Sequence, residues 1–252
     1  MNRSAAAILA LVPALFAFSP PAPAQDGGWH YLVQPYLMFP NMKGEAGIAE
    51  LPPAPVDEDP SDIFNNLQMG AMLYAEAHNQ QWMISSDLLY MSLESDVAPG
   101  RLVSGGSVEV SQLGWELAAM RRFSEWLELG IGVTYNEIDA DVGIFIDTTL
   151  GTVSRAAGMN EQWIDPSVVS RVSLPISDKW YFQARANLGG FGVGSDLMWQ
   201  LQADLGYRHS ERMLFTFGYR FIDVDYDHGS GLDRFVYDMQ TFGPVLKIGF
   251  NF

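Results

Sequence analysis

Leu197-Met198-Trp199-Gln200-Leu201-Gln202-Ala203-Asp204-Leu205-Gly206-Tyr207-Arg208 is the stretch that decides the fold. Successive side chains of an extended strand point to opposite faces. Leu197, Trp199, Leu201, Ala203, Leu205 and Tyr207 therefore share one face, and Gln200, Gln202, Asp204, Gly206 and Arg208 share the other. One face suits hydrocarbon and the other suits water. A lipid-exposed sheet satisfies its backbone groups only if it closes on itself, so the pattern predicts a transmembrane β-barrel with a polar lumen.

The same alternation recurs on both sides. Leu127, Leu129, Ile131, Val133 and Tyr135 oppose Glu128, Gly130, Gly132, Thr134 and Asn136, while Trp180, Phe182, Ala184, Ala186 and Leu188 oppose Gln183, Arg185, Asn187 and Gly189. Reading outward gives an all-β, antiparallel, up-and-down barrel of about ten strands, at roughly 29–39, 66–78, 81–93, 108–123, 126–138, 164–176, 180–190, 196–209, 213–226 and 236–252. The joints at His78-Asn79-Gln80-Gln81, Ser124-Glu125, Ser177-Asp178-Lys179 and Ser210-Glu211-Arg212 are tight and the intervening ones mostly long. Short periplasmic turns and long outer loops are expected of such barrels, and an even strand number puts both termini in the periplasm. In the longest loop, about 40–65, Asp59 before Pro60 reads as an N-cap with proline at the first helical position. That loop also has room for another hairpin, which raises the count to twelve.

Composition agrees. The chain has 252 residues, 48% of them hydrophobic and 17% charged, with a mean hydropathy of +0.03. Residues 1–24 have a basic start with Arg3, an apolar run from Ala5 to Phe18 and a small-residue end at Ala22-Pro23-Ala24. They read as a signal peptide cut after Ala24, leaving 25–252 as the barrel. The chain has no cysteine and hence no disulfide framework. A formal net charge of −16 argues against nucleic acid as a partner.

The last strand places Phe242, Pro244, Leu246, Ile248, Phe250 and Phe252 on one face and ends on an aromatic. A terminal aromatic at that spacing resembles the signal read by barrel-assembly machinery, which makes Phe250 and Phe252 the candidate assembly signal. Trp82, Trp126, Trp180, Tyr207 and Phe252 fit an interfacial girdle. Further, Gly189-Gly190-Phe191-Gly192-Val193-Gly194-Ser195-Asp196, then Gly218-Tyr219-Arg220 before Asp223-Val224-Asp225-Tyr226, then Gly243-Pro244 and Phe250-Asn251-Phe252, together resemble a family of uncharacterised Gram-negative outer-membrane β-barrel proteins. The resemblance covers most of residues 25–252 and is strongest in the last seventy or so. It implies the fold and a cell outer-membrane location, with outer-membrane lipid and lipopolysaccharide as surroundings. No activity follows from it.

Candidate chemistry is sparse. Inward parity collects Glu76, Asp87, Glu116, Glu128 and Asp204 with Arg122, Arg171, Arg185, Arg208, Arg220 and Lys247. These groups either pair and plug the lumen or line a narrow porin-like passage. The loops are acidic, with Asp57, Glu58, Asp59, Asp62, Glu94, Asp96, Asp139 and Asp141 among others, which allows divalent cations at the outer rim. Asp223, Asp225 and Asp227 are weak metal candidates, because the EF-hand-like run Asp223 to Arg234 has its glycine one place late and Arg234 where glutamate is needed. Gly190, Gly192 and Gly194 lack the Lys-Ser/Thr of a phosphate loop and read as turn residues. No cofactor is implied. The leading expectation is a non-enzymatic barrel with a structural or surface-interaction role, or a narrow porin. The alternative is an omptin-like or lipid-modifying hydrolase using His228 with Asp225 or Asp227, the one rim histidine beside acids.

Overall fold

The computed structural model describes residues 28–48, 52–96, 103–148 and 151–252. The leader read over residues 1–24 lies outside the described residues. Strand β1 (His30–Met38) is followed by β2 (Asn41–Ile48), β3 (Ala54–Glu58) and helix α1 (Pro60–Asn66). Nine long strands come next: β4 (Leu67–His78), β5 (Trp82–Asp96), β6 (Val103–Arg122), β7 (Leu127–Thr148), β8 (Gly151–Pro175), β9 (Trp180–Gly190), β10 (Leu197–Arg208), β11 (Met213–His228) and β12 (Phe235–Asn251).

Each strand from β4 to β12 pairs antiparallel with its sequence neighbour. The ring closes because β1 pairs with β4 on one side, from His30↔His78, and with β12 on the other, from Leu32↔Asn251 to Met38↔Val245. Ten strands form the closed barrel, as expected, and the sheet counts twelve because the long first loop does contain a hairpin. That hairpin adds no second pair of full-length staves. Strand β2 continues β1 along the upper half of β12, from Asn41↔Phe242 to Ile48↔Phe235, and β3 pairs with β2 alone. The break falls at Phe39-Pro40, where proline has no N–H for the ladder. Phe39 N donates to the Pro244 carbonyl at 2.9 Å, and Gly243 lets the Phe39 carbonyl approach closely, since a side chain there would meet the Phe39 oxygen.

Beyond β3 the expected helix forms. Asp59 Oδ1 accepts from Ser61 N and Asp62 N at 2.7 and 3.1 Å, Pro60 opens the helix, and Ile63 is its buried residue. The hydrogen bonds from Ser61, followed by those from Asp62, hold the Asp59 carboxyl below the usual range. This short helix follows β3, which has no second partner strand, and packs against β5.

The outer surface of the barrel's middle is apolar. Leu129, Ile131, Val133, Val168, Leu201, Leu205, Phe217, Leu246 and Ile248 are all exposed there, while Gln200, Gln202, Asp204 and Arg185 are buried inside. Exposure of so many large apolar side chains on one continuous face is expected only where lipid is the solvent. The short turns lie at one end, ringed by Trp82, Trp126, Trp180 and Phe252, and Trp180 packs on Tyr207 at 4.9 Å. Phe250 and Phe252 are exposed on that same outer face.

Strands β7 and β8 outrun their expected limits furthest. Of residues 139–161, read as a loop, 139–148 and 151–161 instead continue β7 and β8 as a paired extension up to Thr148↔Gly151. The physical reason lies in the solvent. Above Tyr135 the outward residues of β7 become Glu137, Asp139 and Asp141 and the inward ones become Ile138, Ala140 and Val142, the reverse of the pattern below. The alternation continues, but its faces exchange roles where lipid ends. Strands β11 and β12 do the same, with Asp223, Asp225 and Asp227, and Asp238 and Gln240, outside, and with Val224, Tyr226, Tyr237 and Met239 inside. The expectation of a polar lumen therefore holds for the short-turn half of the barrel and fails for the loop half.

Candidate functional site

Inside the short-turn half, side chains from opposite walls meet across the lumen. Arg171 on β8 donates from Nε to Glu128 Oε2 on β7 and from Nη1 to Glu76 Oε2 on β4, both at 2.5 Å. Glu128 also pairs with Arg122 at 2.9 Å, and Glu76 accepts from Tyr74 OH at 2.8 Å with His78 Nδ1 2.9 Å from its other oxygen. Arg185 on β9 pairs with Glu116 on β6 and donates to Ser85 on β5 at 3.2 Å, and Asn187 donates to the same glutamate. Arg220 on β11 reaches Asp87 on β5 at 3.1 Å, Gln200 Oε1 at 2.8 Å and the Tyr36 hydroxyl at 2.9 Å. Tyr36 in turn donates to Asp87 at 2.7 Å. Lys247 lies 3.5 Å from Asp204 and over the rings of Tyr36 and Tyr74.

Strands β4 and β8, β6 and β9, and β5 and β11 are not neighbours in the ring, so these bonds run across the lumen rather than along the wall. Together Arg122, Arg171, Arg185, Arg220 and Lys247 match Glu76, Asp87, Glu116, Glu128 and Asp204, five cations against five carboxylates. All but Arg122, which is 34% exposed at the short-turn mouth, are buried. Burying charges is costly unless they are paired and hydrogen-bonded; the shared contacts supply such partners to most of these groups, while Arg220 Nε and Asp204 Oδ1 are buried without a hydrogen-bond partner.

Ten of the eleven residues expected in the lumen network join it. Arg208 does not. It ends β10 beside the Ser210 turn, is exposed, and sets its guanidinium 4.9 Å over the Tyr181 ring with no carboxylate partner among the described contacts. Its strand position has inward parity but lies at the short-turn mouth, where water solvates a charge that an aromatic face also attracts.

Several members were not singled out by sequence. Tyr74, Ser85, Asn187 and Gln200 share the inward parity of the charged residues on their strands, which is the signal that could have found them, whereas Tyr36 lies on β1, which carries none of the network's charges. A further buried carboxylate, Asp165, has no cationic partner among the described residues. It accepts from Trp163 Nε1 at 3.0 Å, Asn136 Nδ2 at 3.2 Å, Ser195 N at 2.7 Å and Ser195 Oγ at 2.8 Å. These bonds draw the Phe191–Asp196 turn inward, and Gly190 and Gly192 give it the positive φ of 84° and 71° it needs. The turn reading of that glycine run is correct.

Above the network Trp163 stacks on Tyr226 at 4.2 Å, with Tyr237 tilted against it at 6.1 Å. Toward the loops, Tyr237 also lines a cavity of about 620 Å³ with mostly apolar walls.

At the rim the acidic candidates are not gathered into a metal site. Asp223, Asp225 and Asp227 lie two residues apart on the outer face of β11; Asp223 accepts from Gln240, and Asp227 pairs with Arg234 at 2.6 Å. Among the described residues no group of three or more metal-ligating side chains converges. His228 follows the inward parity of Tyr226, on which it stacks at 5.9 Å, so Asp225 and Asp227 lie on the opposite face of the strand from it.

No protein-family model matches the sequence, and no curated protein matches it. Solved structures do match. The outer membrane protease OmpT from Escherichia coli aligns with a TM-score of 0.56 at 10% identity, covering 93% of this chain and 100% of that one. Ail of Yersinia pestis aligns at 10% identity over 90% of this chain and 100% of its own, with a TM-score of 0.37. A Pseudomonas aeruginosa FadL homologue aligns at 8% identity over 90% of each chain, with a TM-score of 0.39. At such identity the likeness is one of fold: the chain has the closed antiparallel barrel of Gram-negative outer-membrane proteins, and that fold points to the outer membrane.

Proposed function

We propose that this protein is a non-enzymatic outer-membrane barrel whose lumen is sealed against solutes, and whose role is structural or is exercised by the loop end at the cell surface. The observation that supports this reading is the lumen network, in which Arg171, Arg185 and Arg220 each bind a carboxylate on a non-adjacent strand. Side chains fill narrow barrels in the same way. In the cell the short turns and both termini face the periplasm, residues 1–24 are the export leader, and the belt contacts outer-membrane lipid with lipopolysaccharide around the loop end. The barrel-assembly machinery reads the strand ending in Phe250 and Phe252.

The porin-like alternative needs the cross-lumen pairs to part, and the hydrolase alternative needs His228 to turn toward an acid on the other face of β11. Planar-bilayer recording of the refolded chain separates sealed from open. No discrete channel events across the usual voltage range are expected, and steady single-channel openings in the unmodified protein would make it a porin. Incubation with peptides and with lipid A is expected to yield no cleavage, and turnover abolished by His228→Ala would establish the hydrolase instead.

A further inference from the structure

The loop half of the barrel is built as if it were a soluble binding protein. Its outer face carries Glu137, Asp139, Asp141, Asp225 and Asp238, while its inner face is mostly aliphatic and aromatic. Such an exchange of faces creates a hydrophobic interior surrounded by water, and in proteins such interiors pack to near-crystalline density with few voids larger than a water molecule. Among the described residues this one is not filled. Met42, Ile63, Val110, Ile138, Phe235 and Met239 line a space of about 620 Å³, within the size range of small-molecule sites. Barrels of modest strand number hold a single small ligand in this manner when side chains do not close the interior.

The charged residues on the cavity wall narrow the chemistry. Among the described residues they are Glu58, at the end of β3, and Asp62, in the first turn of α1, and both are acidic. No lysine or arginine lines the cavity among the described residues. A fatty-acid carboxylate or other anion meets repulsion there, whereas a neutral or cationic molecule does not. Tyr237, which lines the cavity, tilts against the Trp163–Tyr226 stack, and the paired charges lie on the short-turn side of these rings.

We infer that the loop half of the barrel is a binding site for a small hydrophobic molecule that carries no negative charge. The site is independent of whether the lower lumen conducts, so a channel recorded from the protein would leave this inference standing.

Three probes with one ring system test it: naphthalenemethanol, naphthylmethylamine and naphthoate, neutral, cationic and anionic. Each is titrated by equilibrium dialysis against the full refolded chain in lipid nanodiscs, with empty nanodiscs as the blank. Saturable binding of one alcohol or amine per barrel is expected, with naphthoate at least tenfold weaker. Ala140 lies on the cavity wall, so Ala140→Trp fills the space and is expected to abolish saturable binding while leaving the heat-dependent gel shift of a folded barrel intact. Val110→Trp, from another strand, serves the same purpose if the first variant does not fold. Joint replacement Glu58→Gln and Asp62→Asn is expected to bring naphthoate to within about threefold of the alcohol. No saturable binding above the blank, equal binding of all three probes, or binding unchanged in both tryptophan variants would overturn the inference.

Discussion

Arg171→Ala lowers the unfolding free energy of the refolded barrel by about 3–5 kcal/mol, the expected result of removing one partner from a buried, hydrogen-bonded ion pair. The size of the effect follows from what is left behind. Arg171 is shared by Glu76 and Glu128, and all three side chains are at most 7% exposed. Removing the guanidinium strands two carboxylates in the lumen. Arg122 still reaches Glu128, and His78 still stands beside Glu76, but neither contact replaces the cross-lumen bond. The triple variant Arg171→Met, Glu76→Gln, Glu128→Gln removes charge on both sides and is expected to recover most of the loss, because a neutral, well-packed replacement is often no less stable than a buried pair. Arg234→Ala breaks the exposed pair with Asp227 and is expected to leave the urea midpoint unchanged. If Arg171→Ala cost no more than Arg234→Ala, the lumen would be hydrated and the network loose.

Ile131→Arg is expected to cost about 2–4 kcal/mol when the barrel folds into bilayers, the depth-dependent penalty for a cation on the lipid face near the midplane. Ile131 is 71% exposed, and in a water-soluble protein an arginine at so open a site would be tolerated. Leu232, in the turn between β11 and β12, is 87% exposed, and Leu232→Arg is expected to leave the folding free energy almost unchanged. Bilayer refolding titrations in urea measure both. The contrast between two exposed apolar positions isolates the solvent each one meets, and equal effects would contradict the lipid assignment of the belt.

How much was legible in the sequence depended on where the solvent changed. Strands β9 and β10 were readable almost to the residue because Leu188, Leu201 and Leu205 meet lipid while Asn187, Gln202 and Asp204 meet the lumen. The upper parts of β7 and β8 read as a loop because Asp139 and Asp141 occupy the face that Leu129 and Ile131 hold lower down. A reading anchored to one apolar face ends where the faces exchange, although the strand does not. The helix after Asp59 was legible because capping is local, whereas the pairing of β2 with β12 spans almost two hundred residues and has no local signature.

The candidate site divided in the same way. Parity along each strand identified ten members of the network, but which carboxylate each arginine meets depends on the stagger of the closed sheet, and that is not a property of any one strand. Arg208 has the parity of the network without its depth. Asp165 has the inward parity of Arg171 on β8 but no cationic partner among the described residues, so a reading built on charge pairs passes over it; its partners Ser195 and Asn136 come from a turn and from β7.

One-sided thiol labelling tests the sealed lumen most directly, since the chain has no cysteine of its own. Arg208→Cys places a thiol at the short-turn mouth and Ala140→Cys places one in the cavity above the network. In proteoliposomes with uniformly oriented barrels, a charged, membrane-impermeant methanethiosulfonate is added to one side only. Each cysteine is expected to react from a single side, and the two sides are opposite. Reaction of either cysteine from both sides would mean a continuous aqueous path through the paired charges and would contradict the account.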